Sequence, residues 1–370
     1  IEQKVALLRS CRERGVADGP LPVLLYSEGA PAAASLRKGG LRAKRLALDI
    51  IGSGKSVAEA LLIQTAWTML KEEKAGEPVL AINSVGDKDS LLKFTRELGA
   101  YYRKNIHLLP ATCRAALRRD PLLVLSCAHE KCKPLNEGAP KAMEFLSEAS
   151  RIHFKEVLEY LEALDISYRI DHCLNAGKSF AGETVFEMQV SPLTAHLPSR
   201  GTQPLGVHAG EAKEDGGGEP VCAERTGRRV CFGFRYNSAA RRVGFHKDMP
   251  AIGATILLSR SAKERTNERT IRMKKPRIFF LQLGFDAKLQ CLKVVEMLRE
   301  ARIPLFQALA RDKLATQLAT AENLKIPFSL IMGQKEAFES SIIVRNNATR
   351  AQETVKIVTL PVYLKKLNLT

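Results

Sequence analysis

No stretch of this chain approaches the roughly 18 unbroken apolar residues that a bilayer-spanning helix needs, so no membrane partner is expected. No internal repeat is found. The eight cysteines are scattered through 370 residues, unlike a secreted disulfide scaffold, and a reducing, cytoplasmic setting is expected. The chain starts at Ile1 with neither an initiator methionine nor a signal-peptide layout, so its amino terminus reads as incomplete. Acidic residues are in deficit: 40 Asp and Glu stand against 57 Lys and Arg, a formal net charge of +17. Such an excess suits a polyanion, because neutralised phosphates release counterions. A merely solubilising surface is the plainer reading, and charge alone does not name the anion. At 45% hydrophobic and 26% charged, the chain is otherwise an ordinary globular protein, long enough for two or three domains.

Apolar spacing places the elements. Residues 58–70 read as a helix, and 79–83 as a strand ending in a turn at Gly86 and Asp87. Residues 91–102 and 111–119 read as helices with basic faces. The stretch 142–164 carries Phe145, Ile152, Val157, Leu158 and Leu161 at helical spacing and reads as one or two helices. Residues 168–174 and 184–190 alternate as strands should, around a turn at 175–182. Residues 208–220 read as a solvated loop, and 230–236 and 251–258 as further strands. The charged run 263–275, closed by Pro276, is expected to be a linker. Beyond it, strands at 277–283, 304–308, 328–332 and 341–345 alternate with helices at 286–301, 312–324 and 359–367. That alternation predicts a small α/β domain with a largely parallel sheet.

Small motifs yield less. GSGKS (52–56) follows the strand-like LALDII, but the position five residues before Gly54 is Asp49, and the loop is too short to wrap a phosphate. Cys113, Cys127 and Cys132, with His107 and His129 nearby, leave two readings open. One is a zinc knuckle, although paired CxxC spacing is missing; the other is a set of reduced, buried thiols. Cys11, Cys173, Cys222, Cys231 and Cys291 have no metal-like grouping, and His153, His172 and His246 stand alone in the sequence.

Four longer stretches carry more: PRIFFLQLG (276–284), MLREARIPL (297–305), RDKLATQLATAENLKIPFSLIMGQKE (311–336) and SIIVRNNATRAQETV (341–355). In order and spacing they resemble the anticodon-binding domain of class II synthetases of the histidyl, glycyl, prolyl and threonyl group. INSVGD (82–87), DPLLVLSCAHEKC (120–132), EGAP (137–140) and HFKEVLEYLEALDISYRID (153–171) narrow the resemblance to the histidyl-tRNA synthetase family. LALDIIGSGKSVAEALLI (46–63) is similar to the end of that family's motif 2 and the helix after it. The resemblance implies a reduced α+β, class II synthetase-like antiparallel sheet core followed by an α/β anticodon-binding domain. Its expected layout is a partial catalytic core at 1–87, a helical insertion at 88–150, the rest of the core at 151–262, a linker at 263–275 and the anticodon-binding domain at 276–370. The family's motif 1, which builds its dimer interface, has no counterpart in the sequence, so a monomer or hetero-complex is expected. The cysteine trio resembles a four-cysteine cluster of some bacterial relatives, with Pro110 where the fourth would fall.

The family joins histidine to tRNA with ATP and magnesium, which requires cations around the phosphates. Its motif 2 FRxE pattern is missing from SEGAPAAASLRKGG (27–40). The histidine-binding loop, RGLDYY in the family, reads AGKSFA (176–181), with Ala176 for the arginine and Phe180 for a tyrosine. GGRYD becomes FGFRYN (232–237), and motif 3, GxxxGxER, becomes GATILLSR (253–260). The resemblance thus makes Arg260 a remnant of the ATP site, and Gly177, Phe180, Arg235 and Tyr236 remnants of the histidine site. Arg311, Lys313, Gln317, Arg345, Asn346 and Arg350 are the expected tRNA contacts. Cations among them would meet phosphates, while Gln317 and Asn346 would meet bases. Lys313 and Gln317, four apart, are expected on one helix face. The reading is a catalytically impaired relative that binds histidine tRNA, with a complete synthetase or another protein subunit as a second partner. The alternatives are a working histidine–tRNA ligase and a protein-binding scaffold.

Overall fold

The computed structural model describes every residue except 1, 17–18, 20, 30–42, 74–75, 178–181, 191–227, 246–248, 260–274, 308–312, 368 and 370. Helix α1 (Glu2–Glu13) leads to β1 (Val23–Gly29), β2 (Ala43–Ile51), α2 (Val57–Glu72) and β3 (Pro78–Ser84). A helical insertion follows, with α3 (Lys88–Lys104), α4 (Ala111–Arg119), α5 (Pro121–Leu125) and α6 (Lys133–Glu137), and then the longer α7 (Glu148–Ala163). The chain returns through β4 (Tyr168–Ile170), β5 (Gly182–Val190), β6 (Arg228–Arg235), the short α8 (Ala239–Arg242) and β7 (Ala251–Ser259).

Among the described residues these strands form one sheet in the order β1-β2-β7-β6-β5-β3-β4, antiparallel everywhere except at β3 and β4. The alternation of side chains decides its two faces. Leu46 and Ile50 of β2, Phe186 and Met188 of β5, and Ile252, Ala254 and Ile256 of β7 point to one side, where α2 and α7 cover them. On the other side, Ile51, Ala81, Val185, Phe234 and Ala251 pack with Leu8 and Cys11 of α1. We call these the back and the front. The expected strand at 168–174 stops at Ile170, because Asp171 turns the chain by accepting the amide of Cys173 at 3.0 Å.

GSGKS (52–56) is the turn from β2 into α2. Gly52 sits at φ 89°, where only glycine is at ease, and a Cβ there would fall 2.7 Å from Leu21 Cβ. The carbonyls of Ser53 and Lys55 accept hydrogen bonds from Arg235. A phosphate cradle needs amides turned inward, so the phosphate-loop reading is excluded on geometry as well as spacing.

The carboxy-terminal unit runs β8 (Ile278–Gln282), α9 (Phe285–Glu300), β9 (Leu305–Gln307), α10 (Leu314–Asn323), β10 (Phe328–Met332), α11 (Gln334–Phe338), β11 (Ser341–Asn346), β12 (Gln352–Lys356) and α12 (Leu360–Lys366). Its sheet order is β12-β11-β10-β8-β9. The largely parallel sheet expected from sequence is corrected here: β8 pairs parallel with β9 and β10, but β10, β11 and β12 pair antiparallel. For β11 and β12 the cause is the short turn between Asn346 and Gln352, which can join only antiparallel neighbours. All five residues of β8 are buried, with Ile278 and Phe280 in one core cluster and Phe279 and Leu281 in another. Leu292 of α9 packs with Val57 and Ala60 of α2 and Tyr160 of α7, and Arg299 bridges Glu72 at 2.5 Å.

Candidate functional site

Two surfaces hold the chemistry. The first is the front of the large sheet, under α1. Lys4 reaches down from α1 to within 2.6 Å of Asp49 Oδ1 on β2, and Tyr236 Oη donates to the same oxygen at 2.7 Å. Burial raises the Asp49 carboxyl above its ordinary range, and Lys4 and Tyr236 offset only part of that. Gly253 on β7 makes room for the arrangement, since a Cβ there would lie 2.0 Å from Asp49 Oδ1 and 2.4 Å from Lys4 Nζ. Nearby, Glu187 accepts from Gln189 Nε2 at 2.5 Å and from Arg229 Nη1 at 3.4 Å. Arg229 in turn lies over the Phe232 ring, 5.3 Å from its centroid.

A cavity of about 250 Å³ opens between α1 and the strands, lined by Lys4, Arg45, Arg229, Phe232, Thr255 and other residues. Arg45 Nε and Nη1 are buried there without a partner among the described residues. The cavity therefore offers cationic groups to a small anion. For a ligand's ammonium it offers little, because Asp49 and Glu187 are both engaged by cations of the protein itself.

Arg235 lies elsewhere. Adjacent residues on a strand face opposite sides, so while Tyr236 points forward, Arg235 points to the back and is fully buried. Its guanidinium grips Glu59 of α2 with two parallel bonds, Nε to Oε1 at 2.7 Å and Nη2 to Oε2 at 2.5 Å. Glu183 Oε2 is 3.1 Å from Nε, and His153 Nε2 is 2.8 Å from Glu59 Oε1. Burial alone would raise the Glu59 carboxyl, but Arg235 and His153 outweigh it and hold the group at about 2. Burial likewise works against charge on His153, yet its bond to Glu59 wins and raises it.

These placements revise the sequence reading. Arg235 and Tyr236, expected together as histidine-site remnants, are separated by the sheet and engaged in different buried networks. His153, which stands alone in sequence, is part of a charge cluster. Gly177 is at φ 82° in a turn closed by its amide donating to Asn175 Oδ1 at 3.1 Å. Phe180, Arg260 and Arg311 lie outside the described residues. Cys113, Cys127 and Cys132 do come together, with Cys113 Sγ 3.5 Å from each of the other two sulfurs.

The second surface is the carboxy-terminal sheet, where the expected tRNA contacts are divided. Gln317 is fully buried: its Oε1 accepts from the Gln282 amide at 3.2 Å and its Nε2 donates to the Gln282 carbonyl at 3.0 Å. A base contact by Gln317 is thereby ruled out. Lys313 is not on its helix face either; it is the exposed cap residue of α10, with an extended backbone. Lys313 lies near the carboxyl ends of the parallel strands. Arg345, Asn346 and Arg350 lie at the opposite end, where Asn347 donates to Ile326 and Pro327 carbonyls. Asn346 Oδ1 accepts the amides of Ala348 and Thr349 and so holds the turn. Arg350 is exposed at φ 61°.

Residues 278–367 match the family of anticodon binding domains. The histidine–tRNA ligase of Listeria innocua is 27% identical over 318 residues, covering 85% of this chain and 68% of that protein. That of Acetivibrio thermocellus is 26% identical over 368 residues, covering 98% and 81%. A solved apo histidyl-tRNA synthetase from S. aureus aligns with a TM-score of 0.49 at 22% identity, over 97% of this chain and 81% of that one. The anticodon-binding match at 278–367 and the likeness to histidine–tRNA ligases over 85% to 98% of the chain together support a member of the histidyl-tRNA synthetase family.

Proposed function

We propose that this member of the family binds tRNA, histidine tRNA first among candidates, and does not form histidyl-adenylate, acting as an accessory or regulatory relative of a working ligase. The observation that carries this reading is the state of the front face. Histidine brings an ammonium that needs a carboxylate, and the acids there, Asp49 and Glu187, already serve Lys4 and Arg229. The sequence adds that Ala176 replaces the loop arginine and that motif 2 lacks its FRxE pair. A cationic cavity in which Arg45 Nε and Nη1 lack a partner among the described residues suits phosphate, so weak ATP binding is expected here; the full reaction, with its magnesium, belongs to the alternative reading of a working ligase.

For the RNA, the carboxyl ends of β8, β9 and β10 are the favoured side, since ligands of open α/β sheets bind beyond those ends. Lys313 stands there, and Arg311 precedes it in sequence. The test is to titrate the full chain with histidine tRNA and with a mismatched tRNA at several salt concentrations. Histidine tRNA should bind more tightly. Lys313→Ala should weaken it and flatten the logarithmic salt slope by roughly 0.7 to 0.9, the loss of one phosphate contact. Arg350→Ala, at the other end of the sheet, should change the slope little. Equal, weak affinity for both tRNAs would leave only a sticky basic surface and end the reading.

A further inference from the structure

The helices α4, α5 and α6 are 9, 5 and 5 residues long, each too short to persist without tertiary support. Under them lies a satellite core separate from the main sheet, and three thiols converge in it. Cys113 comes from α4, Cys127 from the turn after α5, and Cys132 caps the start of α6. All three sulfurs lie within 4.8 Å of one another.

We propose that Cys113, Cys127 and Cys132 form a three-thiolate site for one thiophilic divalent cation, with zinc as the fitting ion, that ties the short helices of the insertion together. Size supports it. With Zn–S bonds of about 2.3 Å, the edge of a tetrahedron is about 3.8 Å. The observed separations, 3.5 Å for two pairs and under 4.8 Å for the third, bracket that edge. One ion at the centroid thus needs shifts of only a few tenths of an ångström in side chains. A disulfide fits less well: it would draw two sulfurs to about 2.05 Å and leave the third thiol without a function. Cys113 and Cys132 are buried while Cys127 is half-buried, so the fourth position opens on the Cys127 side, where water completes the tetrahedron. Binding exchanges three thiol protons for one dication and leaves a single net negative charge. The other cluster of ligating groups, Glu59, His153 and Glu183, is a poor cation site because the Arg235 guanidinium already occupies its centre.

The consequence is mechanical. Asn175, beside the Gly177 turn, donates to Ser126 Oγ at 2.7 Å and to the Leu122 carbonyl at 3.2 Å. A metal that fixes α4, α5 and α6 would therefore also fix the support of that turn.

Cobalt reads the site directly. The full chain, purified under reductant and freed of metal with a chelator, should take up one equivalent of Co²⁺ and show thiolate-to-cobalt charge-transfer and intense tetrahedral d–d bands. One equivalent of Zn²⁺ should abolish those bands and raise the melting temperature. Cys113→Ser and Cys132→Ser should lose the bands, whereas Cys291→Ser, in the carboxy-terminal core, should keep them. Cys127→Ser, at the half-buried position, guards against misfolding as the cause: it should fold by circular dichroism yet bind cobalt at least tenfold more weakly. Wild-type protein giving only the pale spectrum of hydrated cobalt, or bands that survive in folded Cys127→Ser at unchanged affinity, would overturn the proposal.

Discussion

Replacing Arg235 with methionine should destabilise the fold by about 3 to 5 kcal/mol, the usual cost of removing one partner of a buried ion pair. Arg235 and Glu59 are both fully buried, and the guanidinium also satisfies the Ser53 and Lys55 carbonyls at the head of α2. Methionine would leave the Glu59 charge facing only His153. Changing both, as Glu59→Leu with Arg235→Met, should recover part of the loss, because no unpaired charge then remains. The pH dependence gives an independent check. Glu59 titrates near 2 in the fold, below its unfolded value of about 4.3. Its contribution is therefore complete above pH 4.3 and vanishes as pH falls toward 2. His153 is raised by the fold, so its contribution is complete below about pH 6.5 and fades as pH rises through its folded value. Denaturant unfolding of wild type from pH 3 to 8 should show a stability maximum between those limits. The Arg235→Met protein should lose the acid limb's steepness. Equal stability of wild type and Arg235→Met at pH 6 would mean that the pair holds nothing together.

What was legible in the sequence followed from period and from turn chemistry. The helices α2, α3, α4 and α9 and the strands β3, β5, β7 and β10 are within a few residues of their expected bounds, because the helices carry apolar residues at helical spacing and the strands are short runs buried largely on both faces. Strand β12, QETVK, was invisible: only Val355 is buried, as suits an edge that faces water. The two site errors have local causes. The rule that residues four apart share a face holds only inside a helix, and Lys313 is a cap with extended backbone, so Gln317 turns to the core without it. Arg235 and Tyr236 were grouped by a motif, although strand alternation alone sends neighbours to opposite faces. Glu59 left one usable trace, a single acid within the apolar stretch AEALLI of α2, which is costly unless a cation answers it. Nothing in the sequence linked it to His153, 94 residues away. Lys4 and Asp49, 45 residues apart, are likewise a product of packing α1 onto the sheet.

Histidine-dependent exchange of pyrophosphate into ATP should be at least about a thousandfold slower than in an ordinary family member, since losing a single transition-state donor costs about a hundred- to a thousandfold and several donors are gone here. Adenylate formation asks three things of the front face: a carboxylate for the amino group of histidine, a cation for the α-phosphate, and a group that holds the attacking carboxylate in line. The first is compromised because Asp49 is bound by Lys4 and Tyr236, and Glu187 by Arg229 and Gln189. Freeing Asp49 would strand the buried Lys4, so histidine would have to outbid an existing ion pair there; the exposed Arg229 holds Glu187 less firmly. The third falls with Ala176, which has no charge to offer. Only the second has a substitute: Arg45, whose Nε and Nη1 lack a partner among the described residues, lines the cavity and can meet a phosphate. The expected pattern is thus weak ATP binding, sensitive to Arg45→Ala, without exchange on adding histidine. A chain that exchanged at the rate of its relatives would show that residues outside these networks supply the missing charges, and that the protein is a working ligase. Weak ATP binding lost in Arg45→Ala, with no exchange at saturating histidine, would mean that the phosphate half of the ancestral site outlived the amino-acid half.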